Sequence, residues 1–574
     1  MPVLGISDSH NAAAVLCDAD GTFRGLQEER PSRVKNAGGV PRQAIAWLLQ
    51  EHGLRPGDIV QVALADHRPA PPRSRAETVA LFRDANSWSA RLDRLAQGLP
   101  WFAPGMDGRD HDRRQPYLDL GFRADQLSSY DHHACHAAAA YFGWGRRDRP
   151  VLVLTCDGEG DGLCATVNIG RDGGLTRLID IDASHSLGLL YSLVTYMTGM
   201  VPGEHEYKLM GMAPYAVDEA AERVKQRLLS LFAWDKTGRP RWRRRFGVAP
   251  LPTIRSRLQA LFFEERFDAV MGGTQRFLET MLCEWVRRAI RFTGIAEVAL
   301  AGGVFMNVKA NKAIMELEAV RDLFVFPSCD DETNAIGALY LASARHGNLP
   351  IPPLRSLYLG PDWTDADIAA ALTPLVAENL ISVERPADLD QAIVDCLVEG
   401  CVVGRFAGRE EFGARSLGNR ALLADPRNPA VVRKINGLIK NRDFWMPFAS
   451  SILDRCAADY LVNPRGIPAP SMILSFDTTA IGASVLAAGI HPADASCRPQ
   501  VVCRQDNPAF WTLIDRFRQR TGVGALLNTS LNLHGLPLAH RPGDALQVLM
   551  RSDLARLAIG PFLVAKIPPS ARQS

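Results

Sequence analysis

S-S-Y-D-H-H-A-C-H-A-A-A-A-Y at residues 128–141 and V-L-V-L-T-C-D-G-E-G-D-G at residues 151–162 decide how the chain is read. His132 and His136 stand four apart where the alanine-rich run favours a helix, so both imidazoles leave one helix face. Val151 to Cys156 is an apolar run that predicts a buried strand, with Asp157 at its end. Two imidazoles from a helix start and a carboxylate from a strand end can share one divalent ion and leave a position open for substrate. The same spacing also suits a capping or core histidine, and the Asp-Gly-rich strand end is what favours the metal.

The pattern around that stretch occurs twice. Val3–Ser7, Ala12–Cys17, the turn 18–21 and a strand through Leu26 form one hairpin unit. Val151–Cys156, Leu163–Ile169, the turn 171–174 and Leu175–Ile181 form the other. Each is followed by helices, which predicts an internally duplicated α/β domain with a cleft between its halves. Ser186–Met200 reads as an apolar helix and Gln275–Phe292 as a long amphipathic one. The strand Val298–Ala301 runs into Gly302-Gly303 and a helix opening F-M-N-V-K-A-N, where bare N–H groups suit a phosphate. Phe324–Phe326 is a further strand. Asp330 and Asp331 then precede the helix Ala335–Ala342, either as N-caps or with one of them as a fourth metal ligand. The irregular region 68–125, with P-A-P-P-R at 69–73, Trp88, Trp101 and Phe102, is where substrate specificity is expected.

At 574 residues and 47% hydrophobic composition the chain is long enough for two domains or more. Lys plus Arg total 65 against 63 acidic residues, a formal charge of +2. That balance does not call for nucleic acid or an anionic membrane as partner. The basic cluster Arg239, Arg241, Arg243, Arg244 and Arg245 around Trp242 is expected to be a solvated insertion. Eleven cysteines without a C-x-x-C pair indicate free thiols and a reducing compartment. With no signal-like start and no bilayer-length apolar run, a cytoplasmic protein is expected. The linker H-G-N-L-P-I-P-P-L at 346–354 divides the chain into domains 1–350 and 351–574. Beyond it, Asp388–Glu399 reads as a helix and Val402–Phe406 as a strand. The second domain sets arginines beside glycines in G-R-E-E-F-G-A-R-S-L-G-N-R, 408–420. It adds Lys440, Asn441, Arg442, Arg498 and the polar strand end L-L-N-T-S-L-N through Asn532, as a phosphate- or nucleotide-handling module would.

These motifs together resemble the O-carbamoyltransferases of the nodulation and antibiotic-tailoring type. The resemblance runs in order through G-I-S-x-x-H-N-A-A-A (5–14), E-E-R-P-S-R-V-K (28–35), D-H-H-A-C-H (131–136) and D-G-E-G-D (157–161). It continues through E-Y-K-L-M-G-M-A-P-Y (206–215), L-A-G-G-V-F-M-N-V-K-A-N (300–311), E-F-G-A-R-S-L-G-N-R (411–420), N-R-D-F-W-M-P-F-A (441–449) and L-N-T-S-L-N (527–532). It implies a duplicated actin-like (ASKHA/Kae1-like) domain followed by a YrdC-like α/β domain. The second would make carbamoyl adenylate from carbamoyl phosphate and ATP with Mg2+. The first, with Fe2+ or another divalent ion, would pass the carbamoyl group to a small-molecule hydroxyl, as in antibiotic biosynthesis, and release AMP.

Carried over by motif, the ion is held by His132, His136, Asp157 and Asp331. Gly302, Gly303 and Asn307 lie near the adenylate, and Lys35 near the acceptor. Arg415, Lys440, Arg442, Arg498, Asn528 and Ser530 serve the phosphates, and His10 is the general base. The sequence departs from the family pattern at Asn11, Thr333 and Leu536, and in D-A-S-C-R at 494–498. A transferase acting on a tRNA base and a non-catalytic nucleotide-binding partner are the competing readings. Nucleic acid and membrane are not expected as partners, a homo-oligomer is compatible, and the acceptor's identity is not encoded in any motif.

Overall fold

The computed structural model describes residues 2–18, 20–84, 113–249, 254–347, 351–440 and 443–568, apart from the side chains of Leu438 and Lys440. Trp88, Trp101, Phe102, Asn441 and Arg442 lie outside the described residues. The chain forms two compact units: Met1–Glu28 with Ala37–Leu354, and Glu29–Asn36 with Arg355–Ser574. The short segment Glu29–Asn36 therefore departs from a division at the linker alone. Its two feet are pinned in the first unit at Ala12, whose N–H donates to the Ala37 carbonyl and whose carbonyl accepts from the Glu28 N–H, both at 2.8 Å. Between them, Arg30 donates to the Gly413 carbonyl at 2.6 Å. Arg33 donates to the carbonyls of Leu538 and Pro537 at 2.6 and 3.0 Å.

The first unit is built on two five-stranded sheets. One has β1 (Val3–Ser7), β2 (Ala13–Cys17), β3 (Phe23–Gln27), β4 (Gln61–Ala65) and β5 (Leu127–Tyr130) in the order β3-β2-β1-β4-β5. The other takes β6 (Val151–Gly160), β7 (Leu163–Arg171) and β8 (Gly174–Asp182). After the hairpin β9 (Phe232–Trp234) and β10 (Trp242–Arg244), it adds β11 (Glu297–Ala301) and β12 (Asp322–Val325), in the order β12-β11-β6-β7-β8. Both consist of an antiparallel meander extended by two parallel strands. β1 is buried throughout and β6 through Asp157. That fits central strands covered on both faces, which read as unbroken apolar runs.

Two helices set the site against these sheets. His132–Trp144 packs on Asn334–His346, which also lies on β1 and β4. Backbone-to-backbone approach requires glycine at two points. A Cβ on Gly337 would lie 1.9 Å from the Cys135 carbonyl oxygen, and one on Gly5 would lie 2.0 Å from that of Ala335. The long helix runs Phe267–Thr293, eight residues earlier than its apolar periodicity predicts. Gly272-Gly273 looks like a stop but is the crossing point of helix Asp218–Leu229, where a Cβ on Gly273 would come 2.4 Å from Val224 Cβ. Trp242 is no part of a solvated insertion. It is fully buried, edge-on to Trp285 at 5.1 Å, with the arginines alternating outward on either side.

In the second unit an eight-stranded mixed sheet is ordered Ile381–Glu384, Phe562–Lys566, Arg556–Ile559, Val403–Phe406, Arg420–Ala424, Ala525–Ser530, Ala449–Leu453, Gln500–Val502. Phe406, Leu422, Leu527, Val548, Leu557 and Val564 belong to its core. Among the described residues no helix is long and apolar enough to cross a membrane. Replacing Gly337 by Ala should cost about 1–3 kcal/mol of overpacking strain, seen as a lowered midpoint in chemical denaturation. An unchanged midpoint would show that the two helices can part without loss.

Candidate functional site

The helix His132–Trp144 begins at Asp131, whose carboxylate accepts from the Ala134 N–H at 2.7 Å, and ends at Gly145 in the left-handed region. From its first two turns the Nε2 atoms of His132 and His136 approach to 3.1 Å. Asp157 Oδ2, where β6 leaves its apolar run, lies 3.0 and 3.3 Å from them. Asp331 Oδ1 lies 3.8 and 3.7 Å away, without a hydrogen-bond partner of its own among the described residues. The four atoms fall within 4.8 Å of one another. Ligands about 2.0–2.2 Å from a common centre are separated by about 3–4 Å, so these residues fit one divalent ion. Two imidazoles and two carboxylates accept iron, zinc or manganese alike.

The electrostatics agree. Burial opposes charge on His132 and His136, yet the carboxylates around them outweigh it and raise both pKa values, His132 well above its ordinary range. Burial alone would raise Asp157, but its bonds to the two histidines hold it well below the usual carboxylate range. Burial and then repulsion from Asp157 push Asp331 up to about 6. A cation at the centre would offset that repulsion. His133 is not part of the ring. It turns to Thr155 Oγ1 at 2.8 Å, and burial beside the other two histidines lowers it to about 3.

Two further groups on the ring, Asp66 and Asn334, were not singled out from the sequence. Asp66 Oδ1 sits 2.6 Å from His132 Nδ1. Its signal was available, since V-A-L-A-D ends β4 with a carboxylate as L-T-C-D does in β6. Asn334 Nδ2 lies 3.2 Å from His136 Nε2. Ser9 Oγ donates to Asp331 at 3.4 Å, and Asn11 Nδ2 donates to Asp330 Oδ2 at 2.6 Å. His10 lies between these two residues and is exposed. An aspartate at position 11 would set a second carboxylate against Asp330, so the asparagine there has a local reason.

Gly302 and Gly303 are required by packing at the ring. Gly302 has φ +107°, and its Cβ would lie 2.3 Å from the Cys156 carbonyl oxygen. A Cβ on Gly303 would come 2.8 Å from Asp157 Oδ1. Asn307 caps helix Val308–Met315 through Ala310 N–H at 3.0 Å and exchanges two bonds with Gln275.

In the second unit the loop 411–420 is folded by Glu411 Oε1, which accepts from the N–H groups of Leu417, Asn419 and Arg420 at 2.8–3.1 Å. Arg420 is fully buried, 3.8 Å over the Phe406 ring, and bonds the carbonyls of Ala407 and Gly408. Asn528 is the hub of a buried network. Its amide donates to Ser451 Oγ, the Ser416 carbonyl and Gln500 Oε1 at 2.9, 3.2 and 3.3 Å. The backbone beside Arg415, the strand just after Arg498 and the strand leading to Ser530 thus meet at one point. Arg415, Arg498 and Ser530 are half-buried, and Lys35 is exposed on the segment Glu29–Asn36.

The family described as carbamoyltransferase matches both parts of the chain, its N-terminus over residues 2–340 and its C-terminus over residues 394–566. Nodulation protein NolNO of Sinorhizobium fredii is 30% identical over 563 residues, 97% of this chain and 79% of that protein. Nodulation protein NolO of Bradyrhizobium diazoefficiens is 33% identical over 444 residues, 77% of this chain and 79% of that one. Nodulation protein U of the same organism is 26% identical over 583 residues, covering 93% and 92%. The chain belongs to the carbamoyltransferase family. It is an enzyme that uses ATP and carbamoyl phosphate to carbamoylate a small-molecule hydroxyl, and the non-catalytic and tRNA-directed readings are set aside.

Two measurements check the site. The double variant His132→Ala, His136→Ala should lose its divalent ion in elemental analysis, and full occupancy would rule out the ring as the binding place. Asn528→Ala, which orphans buried partners, should cost about 1–3 kcal/mol in unfolding free energy.

Proposed function

We propose that the second unit makes carbamoyl adenylate and that the first, an internally duplicated actin-like domain holding the ion, transfers the carbamoyl group to a natural-product hydroxyl. The observation that carries this reading is the buried ring of His132, His136, Asp157 and Asp331 in a chain whose two parts both match the family. The identical strand order of the two sheets supports the duplication, and the mixed eight-stranded sheet is read as YrdC-like. The eleven cysteines are all free, in keeping with a cytoplasmic enzyme.

Carbamate is a poor electrophile, because nitrogen donates into its carbonyl and its charged oxygen does not leave. Carbamoyl phosphate is first hydrolysed by water to carbamate and inorganic phosphate. A carbamate oxygen then attacks the α-phosphorus of ATP, held with Mg2+, and pyrophosphate departs. The acceptor oxygen attacks the resulting mixed anhydride at the carbonyl carbon, and AMP leaves with the bridging oxygen. Arg415, Arg498, Lys440 and Arg442 are assigned to the phosphate charge of the first stage, together with Ser530 and Asn528 of the polar strand end. Gly302, Gly303 and Asn307 are assigned to the adenylate, and the exposed cation Lys35 to the acceptor. Bound at the ring, a divalent ion, expected to be Fe2+, would supply Lewis-acid charge to phosphate oxygens. His10 is assigned to take the acceptor proton as general base. Its neighbours Ser9 and Asn11 hold its loop to Asp331 and Asp330. The anhydride also reacts with water, and carrying both stages on one chain limits that loss.

The two stages can be measured apart. Arg498→Ala should abolish carbamoyl-phosphate-dependent pyrophosphate release while metal content stays at the parent level. His10→Asn should keep that release and lower acceptor carbamoylation by roughly 10²–10⁴-fold. A His10→Asn enzyme with near-normal transfer removes His10 as the base, and normal adenylate formation in Arg498→Ala removes the arginine from the activation site.

A further inference from the structure

We infer that Asp66 is a positioning residue for the metal centre, fixing the tautomer and strengthening the donor nitrogen of His132, so that the two histidine ligands are unequal. This rests on the metal reading above and goes beyond its four ligands.

His132 and Asp66 are both buried, and 2.6 Å separates Nδ1 from Oδ1. A carboxylate so placed accepts a hydrogen bond from the protonated Nδ1. The Nε2 lone pair is then directed at Asp157, His136 and Asp331. Among the described residues His136 has no such support, since its buried Nδ1 finds no hydrogen-bond partner there. Asp66 is set deliberately for this contact. It follows β4 in the left-handed region at φ +69°, a conformation that non-glycine residues keep where the surroundings over-determine it. Arg113 supplies that over-determination. Its guanidinium donates to the carbonyls of Ala65 and Asp66, both at 2.5 Å, and to both oxygens of Asp8 at 2.6 and 3.0 Å. Tyr117 Oη donates to the same Asp8 carboxylate at 2.8 Å. The arginine therefore holds the Asp66 backbone and is neutralised by Asp8, which leaves the Asp66 side chain to His132. From the other side, Asp161 accepts the N–H groups of His67, Arg68 and His132 at 2.8–3.1 Å and ties the two strand ends together.

The test uses the full chain and Co2+ alone. Affinity is measured by competition with a chromophoric chelator for the parent, Asp66→Asn and Asp66→Ala, beside the melting temperature of each metal-free protein. Asp66→Ala should bind Co2+ about 10–100-fold more weakly than the parent. Asp66→Asn, which can still accept from Nδ1 but lacks the charge, should fall between them. In the Co2+-loaded parent, the exchangeable imidazole N–H of His132 should give a paramagnetically shifted, exchange-protected resonance that Asp66→Ala lacks, a signal that general destabilisation does not remove. Co2+ affinity in Asp66→Ala within threefold of the parent, or a resonance unchanged in that variant, overturns the role of Asp66 alone. A parent that binds no Co2+ overturns the metal centre and this role with it.

Discussion

Carboxylate charge taken out of water dictates the architecture of the first unit. Asp157, Asp331 and Asp66 are gathered around two imidazoles inside a protein core, and burying like charges side by side is unfavourable unless positive charge and hydrogen bonds answer them. Each surrounding feature serves that balance. Asn11 and Ser9 donate to the outer aspartates, and Arg113 is matched to Asp8 so that it does not draw Asp66 away. The glycines at 5, 302 and 337 let backbone meet backbone around the ring, and Gly303 leaves room for the Asp157 carboxylate. The fold is a device for bringing strand ends and one helix start within a few ångströms.

The parts of this visible in the sequence are those with a period or a boundary. Unbroken apolar runs mark the central strands, the four-residue spacing marks the histidine face, and the carboxylates after strands mark Asp157 and the pair Asp330 and Asp331, between which only the family resemblance chooses Asp331. Asp66 ends a strand in the same way, but no partner close in sequence marks it, since His132 lies 66 residues on. The helix Phe267–Thr293 extends past its apolar period for a related reason, at Gly272-Gly273. Locally a glycine pair suggests the end of a helix, and only the crossing helix Asp218–Leu229 explains why it sits inside one. Trp242 among arginines likewise read as surface, because a two-residue period over three residues is too short to recognise as a strand.

The second unit shows how one motif can contain two kinds of arginine. Along G-R-E-E-F-G-A-R-S-L-G-N-R, Arg420 is consumed by backbone carbonyls and an aromatic face, whereas Arg415 remains half-buried beside the Asn528 network. Sequence composition weighs both equally. The difference lies in Glu411, whose single oxygen gathers three N–H groups and turns the loop so that one guanidinium enters the core.

The excursion Glu29–Asn36 has a consequence for the order in which the molecule can be completed. Arg30 is made 383 residues before Gly413, whose carbonyl it binds. At roughly 5–20 residues per second on the ribosome, the segment waits about 20–80 s for its partner. Meanwhile the first sheet can already form, since both feet of the excursion close on Ala12. The nascent chain therefore holds out a charged loop from an otherwise finished strand pair. The last-made unit then matures by capturing a piece of the first-made sequence, so a ribosome that stops early leaves this loop with nothing to hold.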